Sequence, residues 1–241
     1  SIQTLSTLYK KHKIGYIKPQ YVYCRKMQKK NEIAEDQVKT VMDIAQLMHA
    51  GKQVIYIDET SFHKQQIQDR MWLKREMTIR KPDGRGRGVT VVGAISEKQG
   101  LVHFTVLLQS NNAETFSTFV SEMVRKVKGE AYVYMDNLSV HTASQVKMHF
   151  NERIQQKFLP PYSCALNPIE RLWNVAKQKW KRLMVEQPEL VKTDEDLVNE
   201  VRKLIDSVKD QCHQLASSHL QHMVRSLSCL LYTSPSPRDR G

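Results

Sequence analysis

Val54-Ile-Tyr-Ile-Asp58-Glu-Thr60 is apolar for four residues, β-branched or aromatic throughout, and then turns acidic. A run apolar at every position predicts a strand buried on both faces, as in a sheet covered by helices. Tyr132-Val-Tyr-Met-Asp136-Asn137 repeats the pattern, again with a carboxylate at the C-terminal end. A third segment, Pro160-Pro-Tyr-Ser-Cys-Ala-Leu-Asn167-Pro-Ile-Glu170, is a proline-marked loop feeding a helix whose first turn holds an acid. Open α/β sheets collect ligand and catalytic groups at the C-terminal ends of their buried strands. Asp58, Asp136 and Glu170 are therefore predicted to converge there.

The rest of the chain fits around these segments. Residues 31–49 have the pattern of an amphipathic helix leading into strand 53–58, and a short strand is expected near Met71-Trp-Leu-Lys74. A hairpin follows, Val89–Ser96 and Leu101–Leu108, turning at Glu97-Lys-Gln-Gly100. From Asn112 to Lys128, Phe116, Phe119, Val120, Met123 and Val127 recur at helical spacing, with Gly129 as the terminator. Strand 131–136, helix 142–150, strand 154–159 and a helix from 168 to about 184 complete the order. It predicts an α/β fold, an RNase H-like mixed sheet flanked by helices. The expected divisions are a helical remnant and basic linker at 1–30, a connecting helix at 31–52, the main domain at 53–185 and a C-terminal helical segment at 186–227. Residues 228–241 resemble the conceptual translation of a sequencing-library adapter and are expected to be disordered.

The formal charge of +12 predicts a polyanionic partner. The charge is concentrated: residues 1–30 hold eight Lys or Arg and no acid, and residues 171–182 hold five and none. Residues 70–87 hold seven bases and two acids, whereas residues 186–210 hold eight acids and four bases. Basic segments thus flank the three acids. Four cysteines without CxxC spacing suggest a reduced compartment. No apolar run is long enough to span a membrane, so no membrane partner is expected.

Two carboxylates about 4–5 Å apart repel by roughly 3–4 kcal/mol at an effective dielectric near 20, and a third worsens this. Cations relieve it, and hard oxygen donors favour Mg²⁺ or Mn²⁺. A pair of such ions is one way to cut phosphodiesters, activating a water or a 3′-hydroxyl and stabilising the leaving oxygen. Plainer readings exist. Asp58 and Asp136 could cap turns, and Asn167-Pro168-Ile169-Glu170 reads equally as an N-cap, a first-turn proline and a capping box. Glu59 competes with Asp58 but points to the opposite face.

Taken together, Tyr56-Ile-Asp58-Glu-Thr-Ser-Phe62, Met135-Asp136-Asn137 with His141, Leu159-Pro-Pro-Tyr-Ser163, and Leu166-Asn-Pro-Ile-Glu170 with Trp173 and Lys177 resemble the DDE transposases of the mariner superfamily and related bacterial insertion-sequence transposases. Asp136 and Glu170 lie 34 positions apart, close to that family's spacing. The resemblance covers roughly residues 1–185. It implies Asp58, Asp136 and Glu170 as a catalytic triad holding two Mg²⁺ or Mn²⁺ ions, and residues 1–30 as the tail of a helix-turn-helix DNA reader. It also implies a homodimer and no small-molecule cofactor. Cys164 stands where the family usually has proline, predicting a less rigid loop before Glu170.

Arg80, Lys81, Arg85 and Arg87 on a glycine-interrupted loop, with Arg171, Lys177, Lys181 and Arg182 on the Glu170 helix, read as phosphate contacts. Plain solvated surface is the competing reading. Asn137 and His141 are candidates for supporting the acids, and Trp173 and Trp180 are expected in the core. The expected activity is cleavage at transposon ends and strand transfer into target DNA, in the nucleus or the bacterial nucleoid according to host. A related nuclease without strand transfer, and a silenced DNA-binding protein, remain alternatives.

Overall fold

The computed structural model describes residues 30–67, 87–108 and 110–232, together with Thr7 and Lys11. The chain divides into two compact units, Ser1–Ala34 and Glu35–Gly241. In the first, Thr7 and Lys11 are helical, and helix α1 (Lys30–His49) begins. The expected strand near residue 71 lies outside the described residues.

The larger unit is built on one five-stranded sheet of β1 (Gln53–Phe62), β2 (Val89–Ser96), β3 (Gly100–Leu107), β4 (Ala131–Met135) and β5 (Ile154–Phe158), in the order β3-β2-β1-β4-β5. β3, β2 and β1 are antiparallel; β1, β4 and β5 are parallel. This mixed sheet with helices on its faces is the RNase H-like arrangement expected from the sequence. β1 is central, and its period-2 alternation sends residues to two cores. Ile55 and Ile57 pack with Phe116, Phe119, Val120 and Met123 of α2 (Ala113–Lys126). Val54, Tyr56 and Phe62 face α5 (Ile169–Glu186), α6 (Asp194–Asp206) and α7 (Gln211–Tyr232), with Val41 and Ile44 of α1.

Helix α2 starts where the sequence places it. Asn112 and Thr115 exchange side chain–backbone hydrogen bonds in a capping box. It stops at Lys126, ahead of the predicted terminator, because Val127 turns extended and is buried. Gly129, at φ 77°, instead makes the turn into β4. The helix predicted over 142–150 is two single turns, α3 (Ser139–Thr142) and α4 (Ser144–Lys147), split by an extended Ala143. Tertiary packing overrides local propensity there: His141 turns inward onto Phe116, with ring centroids 4.4 Å apart. The tail reading also needs correction at its boundary, since α7 runs through to Tyr232 and so takes in residues 228–232. The apolar Leu227, Leu230 and Leu231 continue a helical pattern. Residues 233–241 lie outside the described part.

Within the α7 layer His219 is buried, and neither ring nitrogen makes a well-formed hydrogen bond. Its ring meets Tyr56 of β1 edge-on at 6.4 Å. Burial pushes its pKa down to about 4; the charges of Arg171 and His222 add to this, and the Leu166 backbone partly offsets it. A folded pKa below the unfolded value means that the unfolded chain takes up the proton first, so stability falls as pH drops from about 6.5 to about 4. His219→Leu is expected to remove on the order of 2–3 kcal/mol of that acid-side loss. Urea unfolding of both proteins at pH 7 and pH 4.5 measures it.

Candidate active site

β1 and β4 pair in parallel from Gln53/Ala131 to Tyr56/Tyr134. β1 runs on to Phe62, so Asp58 lies mid-strand rather than at the strand end expected from the sequence, while Asp136 is the first residue beyond β4; continued by two residues, the register would set the two opposite each other and on one face. That face is covered by α5, whose first turn carries Glu170. Asp58 therefore lies under α5, Glu170 in the first turn of that helix, and Asp136 just past the end of the neighbouring strand.

The position of α5 is set by a glycine. Gly93 lies opposite Asp58 in the β1/β2 ladder, and a Cβ there would come within 2.7 Å of Trp173 Cη2. The missing side chain lets the buried indole lie across the sheet, where Trp173 Nε1 donates to Asp58 Oδ2 at 3.1 Å. One residue upstream of Asp58, the Ile57 carbonyl accepts from Asn167 Nδ2 at 3.1 Å, in a fully buried contact. The loop and helix that deliver Glu170 are therefore fixed to the strand that delivers Asp58.

The sequence also suggested a capping box at Asn167–Glu170, and the structure differs. Pro168 occupies the cap, Asn167 Oδ1 accepts from the Ile169 N–H at 3.3 Å, and Pro168 makes no side-chain cap. The Glu170 carboxylate is left for other work. Nor is the preceding loop loose. Leu166 and Asn167 N–H groups donate to the Ser163 and Cys164 carbonyls at 2.8 and 3.0 Å, and Gln37 Nε2 donates to Ser163 Oγ at 3.1 Å. Tyr162 sits at φ 59°, a left-handed conformation uncommon outside glycine.

The electrostatics express this convergence. Burial pushes the Asp58 carboxyl up to about 7. The Glu59 backbone N–H and Trp173 hold it down, while the charges of Glu170 and Asp136 push it further up. Glu170 and Asp136 are thus each within electrostatic reach of Asp58. As the side chains stand, they do not form a finished cage: among the described residues no three His, Cys, Asp or Glu groups are placed to hold one ion. The donor chemistry fits a divalent cation, since a crowd of carboxylates without a counter-charge is a set of hard oxygens in need of one.

On the opposite face, Glu59 accepts from Asn111 Nδ2 at 2.7 Å and lies 3.0 Å from His141 Nε2. His141 Nδ1 donates to the Asp136 carbonyl at 2.6 Å. Burial opposes charge on both partners, but the hydrogen bonds outweigh it, so Glu59 falls below the usual carboxylate range and His141 rises above the usual imidazole range. His141 therefore touches the Asp136 backbone, and Asn137 is exposed. The sequence assigned Glu59 to the right face but gave it no role, placed Trp173 in the core without its bond to Asp58, and left Gly93 and Asn111 unmarked. The adjacency of Glu59 to Asp58 was the one available signal.

A family model described as DDE superfamily endonuclease matches residues 53–191. The chain belongs to that family. No curated protein matches it in sequence. Among solved structures it is similar to the Mos1 transposase paired-end complex with left transposon end, at 15% identity and TM-score 0.51, over 91% of this chain and 70% of that one. It is similar to the Mos1 mariner paired end complex with Mn at 15% identity and TM-score 0.51, over 90% and 70%. The Mos1 Strand Transfer Complex gives 16% identity and TM-score 0.50, over 91% and 70%. These likenesses support the fold.

Of the basic residues predicted to contact DNA in this DDE endonuclease, Arg80, Lys81 and Arg85 lie outside the described residues. Arg87 is exposed and lines a surface pocket of about 360 Å³ with Ser61, His63 and Thr90. Arg171, Lys177 and Lys181 are half-buried along α5, whereas Arg182 is paired with Glu186 at 2.6 Å. Trp173 and Trp180 are core residues, as expected. Among the described residues no helix is long and apolar enough to cross a membrane.

Two outcomes are expected from the Gly93–Trp173–Asp58 arrangement. Gly93→Ala forces the indole to shift and lowers stability by about 1–3 kcal/mol, measured by urea unfolding. In metal-free protein, the raised Asp58 pKa means that the folded state holds its proton longer than the unfolded chain. The associated cost is absent near pH 4 and complete above about pH 7. Asp58→Asn should therefore stabilise the protein by on the order of 2–4 kcal/mol at pH 8 and by far less at pH 4, in thermal unfolding with EDTA.

Proposed function

We propose that this DDE endonuclease is a transposase that nicks DNA at transposon ends and joins the freed 3′-hydroxyl to target DNA. The observation that supports the proposal is the charge of Glu170, at the start of α5, and of Asp136, just past β4, each acting on Asp58 of β1. These three residues would hold two divalent cations, Mg²⁺ or Mn²⁺, which when bound supply activation of the attacking oxygen and charge relief at the leaving one. The similarity to Mos1 complexes that contain a transposon end and Mn supports this choice of substrate and metal.

The chain's own residues do the remaining work. Trp173 would orient the Asp58 carboxylate, and Asn167 would fix the loop before Glu170. Arg87, Arg171, Lys177 and Lys181 would grip phosphates and set position without reading sequence, which makes binding steeply salt-dependent. Arg182, already paired with Glu186, would contribute less. A homodimer would bring two transposon ends together.

Incubated with DNA carrying the element's ends and Mg²⁺ or Mn²⁺, the purified protein should yield nicked and then joined products. Asp136→Ala should lower nicking by at least about 100-fold, since loss of even a supporting contact at a metal site costs 10–100-fold. Equal cleavage by Asp136→Ala would refute the assigned roles. Nicking without joined product would instead identify a nuclease of the same fold.

A further inference from the structure

The β1/β4 ladder ends at Tyr56/Tyr134, two residues short of the acids, so strand pairing does not itself hold Asp136 beside Asp58. A side-chain bridge on the other face does. His141 is 2% exposed, and its ring lies tilted against Phe116. Its Nδ1 donates to the Asp136 carbonyl at 2.6 Å, and its Nε2 lies 3.0 Å from Glu59 Oε1. The same Glu59 oxygen accepts from Asn111 Nδ2 at 2.7 Å, which ties the bridge to the residue before the α2 cap. The bridge begins on the residue after Asp58 and ends on the backbone of Asp136. It crosses the gap that the ladder leaves open.

We infer that Glu59 and His141 are a positioning pair that sets the separation of the Asp58 and Asp136 carboxylates, and through it the site's affinity for a divalent cation. The inference rests on the reading that those carboxylates hold the cation. The mechanism is mechanical. Alternation sends the Asp58 and Glu59 side chains to opposite faces of β1, so a contact made below the sheet fixes the backbone from which the acids project above it. Asp136 follows the end of β4 and is exposed, with His141 gripping its carbonyl from α3. Loss of His141 leaves that carbonyl only the Leu138 N–H, 3.0 Å away, and loss of Glu59 unties the imidazole that grips it; either widens the range of carboxylate separations, while the acids themselves stay in place.

Mn²⁺ binding to the full 241-residue chain tests this, by calorimetry or by the paramagnetic signal of free Mn²⁺, with thermal unfolding in EDTA to establish that each variant is folded. His141→Ala and Glu59→Ala should each weaken Mn²⁺ binding by roughly 10–100-fold, the range typical of residues that orient metal ligands. The double variant should be no weaker than His141→Ala, because the two act as one unit. Glu59→Gln, which keeps an acceptor for His141, should retain affinity within about threefold of the parent. A buried pair with only a structural role would lower the unfolding temperature and leave Mn²⁺ affinity of the folded protein unchanged, and that result would overturn the inference. Additive losses in the double variant would do so as well. The Glu59 side chain is 26% exposed, so Glu59→Ala tests the pair from the more tolerant end if His141→Ala does not fold. Asp58→Asn separates the two levels. Unchanged Mn²⁺ binding there refutes the cation site itself, whereas a loss there beside intact binding in Glu59→Ala and His141→Ala refutes only the positioning pair.

Discussion

The seating of α5 on β1 is the constraint on which the rest depends. It is made by a missing side chain at Gly93, an indole filling the space, and two hydrogen bonds, Trp173 to Asp58 and Asn167 to the Ile57 carbonyl. Neither bond is strong by itself, at about 1 kcal/mol net or somewhat more where a charge is involved. Their importance is geometric. They fix a helix start to the middle of a strand more than a hundred residues earlier, so the same packing that closes one core also aims Glu170. Ile169, Leu172, Ala176 and Trp180, all buried, supply the apolar area that holds the helix down.

That arrangement collects like charges, at a cost to the resting fold. Asp58 is pressed between burial and two carboxylate neighbours, the reverse of what stability alone would select. The surroundings compensate by being over-determined. The indole and a backbone N–H hold Asp58, a network of Glu59, His141 and Asn111 lies beneath it, and paired carbonyls brace the loop before Glu170. A site that works against stability persists only inside a frame that leaves it no alternative.

Much of this frame was legible in the sequence because it follows from periodicity. Continuous apolar runs identified β1 and β4 as buried neighbours, and helical spacing identified α2 and the core face of α5. The position of Asp136 at the end of β4 was read correctly, whereas β1 runs past Asp58 to Phe62 because Glu59 to Phe62 go on pairing with β2. What could not be read depends on contacts between distant segments. Gly93 looks like an ordinary interruption in a hairpin strand until Trp173 is placed against it. Glu59 looks idle until His141 arrives from α3, and His141 arrives only because Ala143 breaks the helix that local propensity favours. The Asn167–Glu170 segment satisfied a capping pattern, yet tertiary contact with β1 claimed the Asn167 amide. The parallel pairing of β1 with β4 was legible, but not that the acid side chains would stop short of a closed cage.

The order in which the pieces appear along the chain has its own consequence. β1 is synthesised early, β4 much later and α5 later still, and chains generally fold as they leave the ribosome, N-terminal parts first. The antiparallel β1-β2-β3 half has its pairing partners at hand while the rest is still being translated. Asp58 then waits at the edge of an unfinished sheet, with neither its indole partner nor the other two acids. In a nascent or prematurely terminated chain Asp58 thus lacks both its hydrogen-bond partner and its charged neighbours, which come together only once α5 has been made.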